Sequence, residues 1–304
     1  MQVFVTGATG FVGSAVVQEL LAAGHTVLGL ARSDQAAATL ARMGATVARG
    51  DLADAAGLAD AARRCDGVIH TAFIHDFSQF EASCATDVRV IEAIGAALAG
   101  TDKPLVVTSG IALIDSPLIT EDLAAVVGAH SIPRAASEVA TLALAQQGVR
   151  ASLVRLPPSV HGEGDHGFVP RLIDIARERG ESAYIKAGEN RWPGVHRRDA
   201  ARLFRLALEA GKAGARYHAV HDAGVPARTL AELIGKHLAL PVVSKSREEA
   251  AAHFGWLGFF FGRDCPASSE WTRAQLGWTP RECGLAADLD QAHYYAPRPP
   301  ALAG

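Results

Sequence analysis

The sequence predicts an α/β fold: a doubly wound, parallel Rossmann sheet with a smaller C-terminal cap that binds substrate. Three observations predict it. Short apolar runs alternate with helical stretches through the first half of the chain. Those runs lack polar alternation, as parallel strands covered on both faces do. A glycine-rich turn joins the first run to the first helix, the place where such sheets carry a dinucleotide. Strands that alternate with helices imply right-handed crossovers.

The elements follow in order. Residues 2–6 (QVFVT) form the first strand, and residues 11–23 the first helix, closed by Gly24. Residues 26–31 are the second strand, 34–43 a helix ended by Gly44, and 45–48 the third strand. A helix at 53–64, a strand at 66–70 and a long helix at 77–99 come next. The fifth strand is 103–108, the following helix 131–147, and the sixth strand lies within 149–156. Pro157-Pro158 then breaks the pattern. Helices are expected at 168–179, 199–209 and 229–238, and a strand at 216–220. Residues 1–156 therefore read as the dinucleotide-binding domain and 157–304 mostly as cap, with 196–220 returning to the sheet. The apolar run 254–261 (FGWLGFFF) would be a liability if solvated, so it either roofs the substrate pocket or forms a subunit contact.

Composition narrows the function. Charged residues make up 20% of the 304 and the net charge is −3, which excludes long disordered tails and a basic nucleic-acid surface. No apolar run reaches membrane-spanning length, and no membrane association is expected. The first strand starts at Gln2 and leaves no room for a signal peptide, and four cysteines stand far apart without a CxxC. A cytoplasmic setting with reduced thiols is expected.

Thr6-Gly7-Ala8-Thr9-Gly10-Phe11-Val12-Gly13 is a GxxGxxG turn. Gly7 permits the tight turn, Gly10 the approach of a diphosphate, and Gly13 close packing of helix on sheet. Gly7, Thr9, Gly10, Phe11, Val12 and Gly13 are the expected cofactor contacts, with the helix N-terminus aimed at the phosphates. An NAD site places a carboxylate ~20 residues later, on the ribose 2′-OH. Arg32-Ser33 stand there instead and suit a 2′-phosphate, so NADP(H) is favoured over NAD(H). Asp34 is read as the N-cap of the following helix, the alternative being an inward turn that selects NAD. Asp51-Leu52 border the adenine, and Thr71-Ala72 end the fourth strand beside the dinucleotide path.

These segments resemble the short-chain dehydrogenase/reductase superfamily, in its extended and atypical branches. TGATGFVG (6–13), GDL (50–52), VIHTA (68–72), TSG (108–110), VRLPPSVHG (154–162) and VHRRDAARL (195–203) fall in family order. The resemblance implies NAD(P)(H) chemistry on small molecules and pairing of two copies through helices 77–99 and 131–147. It also implies a catalytic Ser, Tyr and Lys, the last two four residues apart. Ser109 matches the serine. The tyrosine and lysine are missing: five lysines and four tyrosines make no YxxxK anywhere. Counting back from Glu138 puts Arg134 at the lysine position and His130 at the tyrosine position. Arg134 can orient a cofactor but hardly yields a proton, whereas a histidine titrates near neutrality.

The resemblance also places the exit of the sixth strand beside the nicotinamide and substrate. Leu156 and Pro157 are then cofactor contacts, His161 a candidate proton donor, and His166 and Phe168 substrate contacts. A metal reading of His161, Asp165 and His166 matches no recognised spacing, and no metal is expected. Trp192 could stack on a substrate and His196 hydrogen-bond one, or both could simply pack the cap on the sheet. Tyr184 could supply a phenol from outside the missing motif. The expected function is NADP(H)-dependent reduction of a carbonyl on a small, partly apolar molecule, with Ser109 polarising the oxygen and His130, His161 or Tyr184 giving the proton. A non-catalytic NADP(H)-binding redox sensor and a sugar-nucleotide epimerase or dehydratase are the competing readings.

Overall fold

The computed structural model describes residues 1–128 and 131–296. Eleven elements alternate through the first half: β1 (Gln2–Thr6), α1 (Phe11–Ala22), β2 (Thr26–Ala31), α2 (Asp34–Met43), β3 (Thr46–Arg49), α3 (Ala55–Arg63), β4 (Gly67–His70), α4 (Phe80–Leu98), β5 (Pro104–Gly110), α5 (Ala135–Gln146) and β6 (Arg150–Leu156). The second half holds β7 (Ser159–His161), α6 (Phe168–Arg179), β8 (Ser182–Ile185), β9 (Arg191–His196), α7 (Arg197–Ala210), β10 (Arg216–His218), β11 (Asp222–Pro226), α8 (Ala227–Leu238), β12 (Val242–Lys245), α9 (Arg247–Phe254), α10 (Leu257–Phe261), α11 (Glu270–Leu276) and α12 (Leu285–Leu289).

Seven parallel strands form the main sheet in the order β3-β2-β1-β4-β5-β6-β10. The direction of winding reverses between β1 and β4, which opens a crevice at their C-terminal ends. One face carries α1 and α7, whose Val16, Leu20, Phe204 and Leu208 bury against Val5 and Ile69. The other face carries α3, α4 and α5, with Leu58, Ile91, Ile94 and Leu144 against Phe4 and Val68. Gly95 lets α5 come close, since a Cβ there would fall 2.3 Å from Leu144 Cδ1. A second core, built on Leu172, Ile173, Trp192, Leu230, Phe254 and Phe261, belongs to the cap. There β11, β9 and β7 make one small sheet, and β12 and β8 another.

Three differences from the sequence reading have local causes. β5 runs on to Gly110, because Ser109 and Gly110 still pair with Arg155 and Leu156 of β6. Ser109 is thus inside a strand rather than just after it. α5 begins at Ala135, not at 131, because Pro133 disfavours helical backbone at Ile132 before it. β9 runs through Pro193 and Gly194, a segment where the sequence reading placed no strand. Its ladder with β11 shifts register between Asp222 and Val225, opposite Pro193, the residue without an N–H to give. Among the described residues no helix is long and apolar enough to cross a membrane.

Candidate dinucleotide and substrate site

The glycine turn is built as a cradle. Gly7 takes φ +66°, and a Cβ there would lie 2.7 Å from the Ala72 nitrogen. Thr71 Oγ1 donates to the Thr6 carbonyl at 2.7 Å, and Ala72 N to Thr6 Oγ1 at 3.3 Å, which fixes the end of β4 behind the turn. Gly10 is the N-cap of α1, no side chain caps that helix, and its first turn holds no acid. A Cβ on Gly10 would meet only the Gly7 oxygen, at 3.2 Å. Unclaimed N–H groups, a positive helix end and an open approach fit a diphosphate. Thr9, Phe11 and Val12 lie on the same turn.

At the end of β2 the cap of α2 is Ser33, whose Oγ accepts from Ala36 N at 3.2 Å. Asp34, expected as the cap, is the first helical residue and pairs with Arg49. Arg32 is exposed beside them. Asp51 turns its Oδ1 onto Ala53 N at 2.7 Å, and Leu52 packs under the sheet.

A buried polar chain runs from the cradle to Arg134. Thr6 Oγ1 donates to His70 Nδ1 at 2.7 Å, and His70 Nε2 donates to Asp87 Oδ1 at 3.0 Å. Asp87 Oδ2 accepts from Arg134 Nη1 and, at 2.6 Å, from Ser137 Oγ. Arg134 Nη2 reaches the Thr108 carbonyl at 3.2 Å, next to Ser109, and its guanidinium lies 4.4 Å from the Phe73 ring centroid. Burial alone would raise the Asp87 carboxyl. The hydrogen bond from His70, the Arg134 charge and the hydrogen bond from Ser137 outweigh burial and hold it at about 2. A pKa depressed on folding stabilises above the ordinary carboxylate value, here by about 2 kcal/mol. That contribution is lost as pH falls from about 4 towards about 2. The stability gap between wild type and Asp87→Asn in urea unfolding is expected to narrow over that window. A gap that stays constant down to the acid end contradicts the assignment.

Ser109 is buried, and its Oγ donates to Glu138 Oε2 at 2.8 Å. Arg155 clamps the same carboxylate through Nε and Nη2, and Ala125 N adds a bond at 3.3 Å. Arg155 Nη1 donates to His218 Nε2 at 3.1 Å, whose Nδ1 donates to the Ser268 carbonyl at 2.8 Å. Burial, and then the Arg155 charge, push His218 down to about 3, so this ring stays neutral. The Ser109 hydrogen is therefore committed inward.

The remaining expectations scatter. His130 lies outside the described residues. His161 is fully buried, its Nδ1 2.8 Å from Asp288 Oδ2 and its Nε2 without a partner among the described residues. It is sealed inside the cap rather than presented to a substrate. Tyr184 sits on β8 in the two-stranded sheet, 5.5 Å from the Arg228 guanidinium, and no hydrogen bond joins it to Ser109 or Arg134 among the described residues. Trp192 is closed to solvent and donates through Nε1 to the Phe260 carbonyl at 3.3 Å, so it packs the cap core rather than facing a cleft. His196 is buried and accepts from Arg198 N at 3.2 Å, capping α7. His166 is exposed, edge-on to Phe11 at 5.6 Å. Phe168 opens α6 against Phe260 and Trp256, at 5.3 and 5.8 Å. Leu156 ends β6 and Pro157 is buried behind it. Among the described residues no group of His, Cys, Asp or Glu is placed to hold a metal.

Sequence reasoning missed His75, Asp87 and Arg197. His75 follows Phe73, 5.3 Å away ring to ring, and burial, then the Arg134 charge, lower its pKa, with His166 adding to the effect. Its only sequence signal was its place after the fourth strand. Asp87 carried a clearer one, an acid in line with the mostly apolar residues of the helix's buried face. Arg197 was hidden in a run of basic residues.

Comparison with known proteins agrees with this geometry. Residues 3–221 match the NAD dependent epimerase/dehydratase family. The chain is 51% identical to the uncharacterized protein C2A9.02 of Schizosaccharomyces pombe, over 97% of this chain and all of that one. It is 30% identical to a 2-alkyl-3-oxoalkanoate reductase of Stenotrophomonas maltophilia, covering 98% of this chain and 92% of the relative. Its fold matches DesIV, a dTDP-glucose 4,6-dehydratase of Streptomyces venezuelae solved with NAD and TYD. That match has TM-score 0.74 and 23% identity, and covers 97% of each chain. With its cradle, its crevice and a matched span that includes most of the main sheet, the chain belongs to the NAD-dependent epimerase/dehydratase family.

Proposed function

We propose that the protein is an NADP(H)-dependent reductase of a carbonyl group on a small, partly apolar molecule. The observation that carries this reading is the polar centre around Arg134, set at the ends of β4 and β5 and flanked by aromatic rings. The guanidinium is fixed by Asp87 and Thr108, so it is a permanent, oriented positive charge. Such a charge stabilises negative charge developing on a carbonyl oxygen. The bound cofactor supplies the hydride. His75, which feels the Arg134 charge, and His166, whose charge in turn reaches His75, are the exposed side chains that can pass a proton to that oxygen. Ser109 can accept a hydrogen bond but has its own hydrogen engaged by Glu138.

The apolar side of the substrate is supported by Phe168 with Trp256, Phe259 and Phe260 of the cap. Trp256 is 51% exposed and Phe259 63%, so this patch is available to a ligand. The reductase relative from Stenotrophomonas is named for an alkylated oxo acid, a substrate of that character. NADP(H) is favoured because Asp34, the carboxylate that would select NAD, is already paired with Arg49. Arg32 has no ion pair among the described residues. NADPH is expected to bind at least about tenfold tighter than NADH, and Arg32→Ala to erase that margin while leaving NADH unchanged. Calorimetric titration of both cofactors checks it; equal affinities in the wild type contradict it. The functional test is NADPH consumption across apolar ketones, oxo acids and sugar nucleotides. Turnover of an apolar ketone supports the proposal, and turnover of a sugar nucleotide alone contradicts it. A second reading, a cofactor-binding sensor without turnover, is favoured by the inward hydrogen of Ser109. Tight binding of both cofactor forms with no consumption on any substrate would select it.

A further inference from the structure

Arg197 is the first residue of α7, and it reaches across to α1. Its Nη2 donates to Ser14 Oγ at 2.9 Å, and its Nη1 to the Glu163 carbonyl at 3.1 Å. The guanidinium carbon lies 4.6 Å from the centroid of the Phe11 ring. Ser14 and Phe11 both belong to the first turn of α1, directly after the glycine cradle. The other arginines that α7 holds inward are matched by acids: Arg202 by Asp199, and Arg205 by Glu19 and Glu209. Among the described residues Arg197 forms no ion pair. The charged groups around it are Arg198 and Glu163, and the His166 ring lies across the Phe11 ring. A half-buried cation set against an uncapped helix N-terminus is poorly placed unless an anion joins it. Room has been made for it: a Cβ on Gly162 would fall 3.2 Å from Arg197 Cγ and 2.7 Å from His196 Nε2.

We infer that Arg197 is the counter-charge for the diphosphate of the bound dinucleotide and ties the cap to the cofactor. This rests on the cofactor reading above. The guanidinium also holds the Glu163 carbonyl in the loop between β7 and α6, the loop that carries His166 and leads into Phe168. A diphosphate bound to Arg197 is thereby linked to the loop that bounds the substrate side.

The test is calorimetric affinity of NADPH, NADH and ADP-ribose for wild type, Arg197→Gln and Arg197→Lys, with melting temperatures of the free proteins. All three ligands carry the diphosphate. Arg197→Gln is expected to weaken each of them by the same factor, about tenfold or more, and Arg197→Lys by less. A loss confined to NADPH overturns the inference, since Arg197 would then read the 2′-phosphate. Unchanged affinity for ADP-ribose overturns it as well. Should Arg197→Gln not fold, Arg197→Lys decides: equal affinity with wild type for all three ligands overturns the inference. A wild type that binds none of the three overturns the cofactor reading itself.

Discussion

Glu138→Ala is expected to destabilise the protein by about 3–5 kcal/mol. Glu138 is buried and shares its two oxygens among Ser109, Ala125 and Arg155. Arg155 is also fully buried, and no other carboxylate pairs with it among the described residues. Removing the acid leaves a guanidinium in the interior with only the Leu123 carbonyl and the neutral His218 ring for company. The cost is that of an uncompensated buried charge rather than of one lost contact. The double variant Glu138→Leu with Arg155→Met removes both charges and is expected to recover much of the loss. Urea unfolding of the three variants checks this. A cost under about 1 kcal/mol for Glu138→Ala would show that the network carries little of the fold's stability.

Gly13→Ala is expected to reduce dinucleotide affinity by at least about a hundredfold, equivalent to ~2.7 kcal/mol. A Cβ at this position would sit 2.0 Å from the Gly7 carbonyl oxygen and 2.8 Å from Thr71 Oγ1. Neither neighbour can give way. The Gly7 carbonyl is the acceptor of the turn's own hydrogen bond from Gly10 N, at 2.9 Å, and Thr71 is bonded to Thr6. α1 must therefore shift outward and carry the Phe11 and Val12 N–H groups away from the phosphates. Gly24→Ala is the control. Gly24 has φ +83° but nothing within 4 Å of a Cβ, so the substitution strains the backbone without touching the cradle. It is expected to cost about 1 kcal/mol of stability and leave affinity unchanged. Comparable affinity losses in the two variants would contradict the cradle's role.

The main sheet was legible because its signals are local. Apolar runs, helix-closing glycines and the GxxGxxG turn each report on their own neighbourhood. The cap was less so. β8, β11 and β12 are short and mixed in character, and β9 carries a proline and a glycine that only a register shift on its partner accommodates. The site divides the same way. Gly7, Gly13 and Thr71 could be found from spacing, because close approach demands a glycine or a small side chain. Apart from Ser137 beside Arg134, the hydrogen-bond partners of Arg134, Ser109 and Arg197 lie 26 to 183 positions away. Nothing in a linear pattern announces that Ser109 gives its hydrogen to Glu138, or that Arg134 is the end of a chain through Asp87 and His70. The missing YxxxK was visible at once; its structural consequence was not. Under the proposed function Arg134, at the position counted as the lysine's, serves as the fixed charge, and His75 or His166 would give the proton.

The most direct test of the account follows the hydride itself. Incubating the protein with NADPH deuterated at nicotinamide C4 and an apolar ketone, then reading the product by mass spectrometry, shows whether the protein transfers hydride to carbon. One deuterium is expected, at the former carbonyl carbon and from one face of the ring only. Tight NADPH binding with no deuterium in any product across the ketones and oxo acids would contradict it.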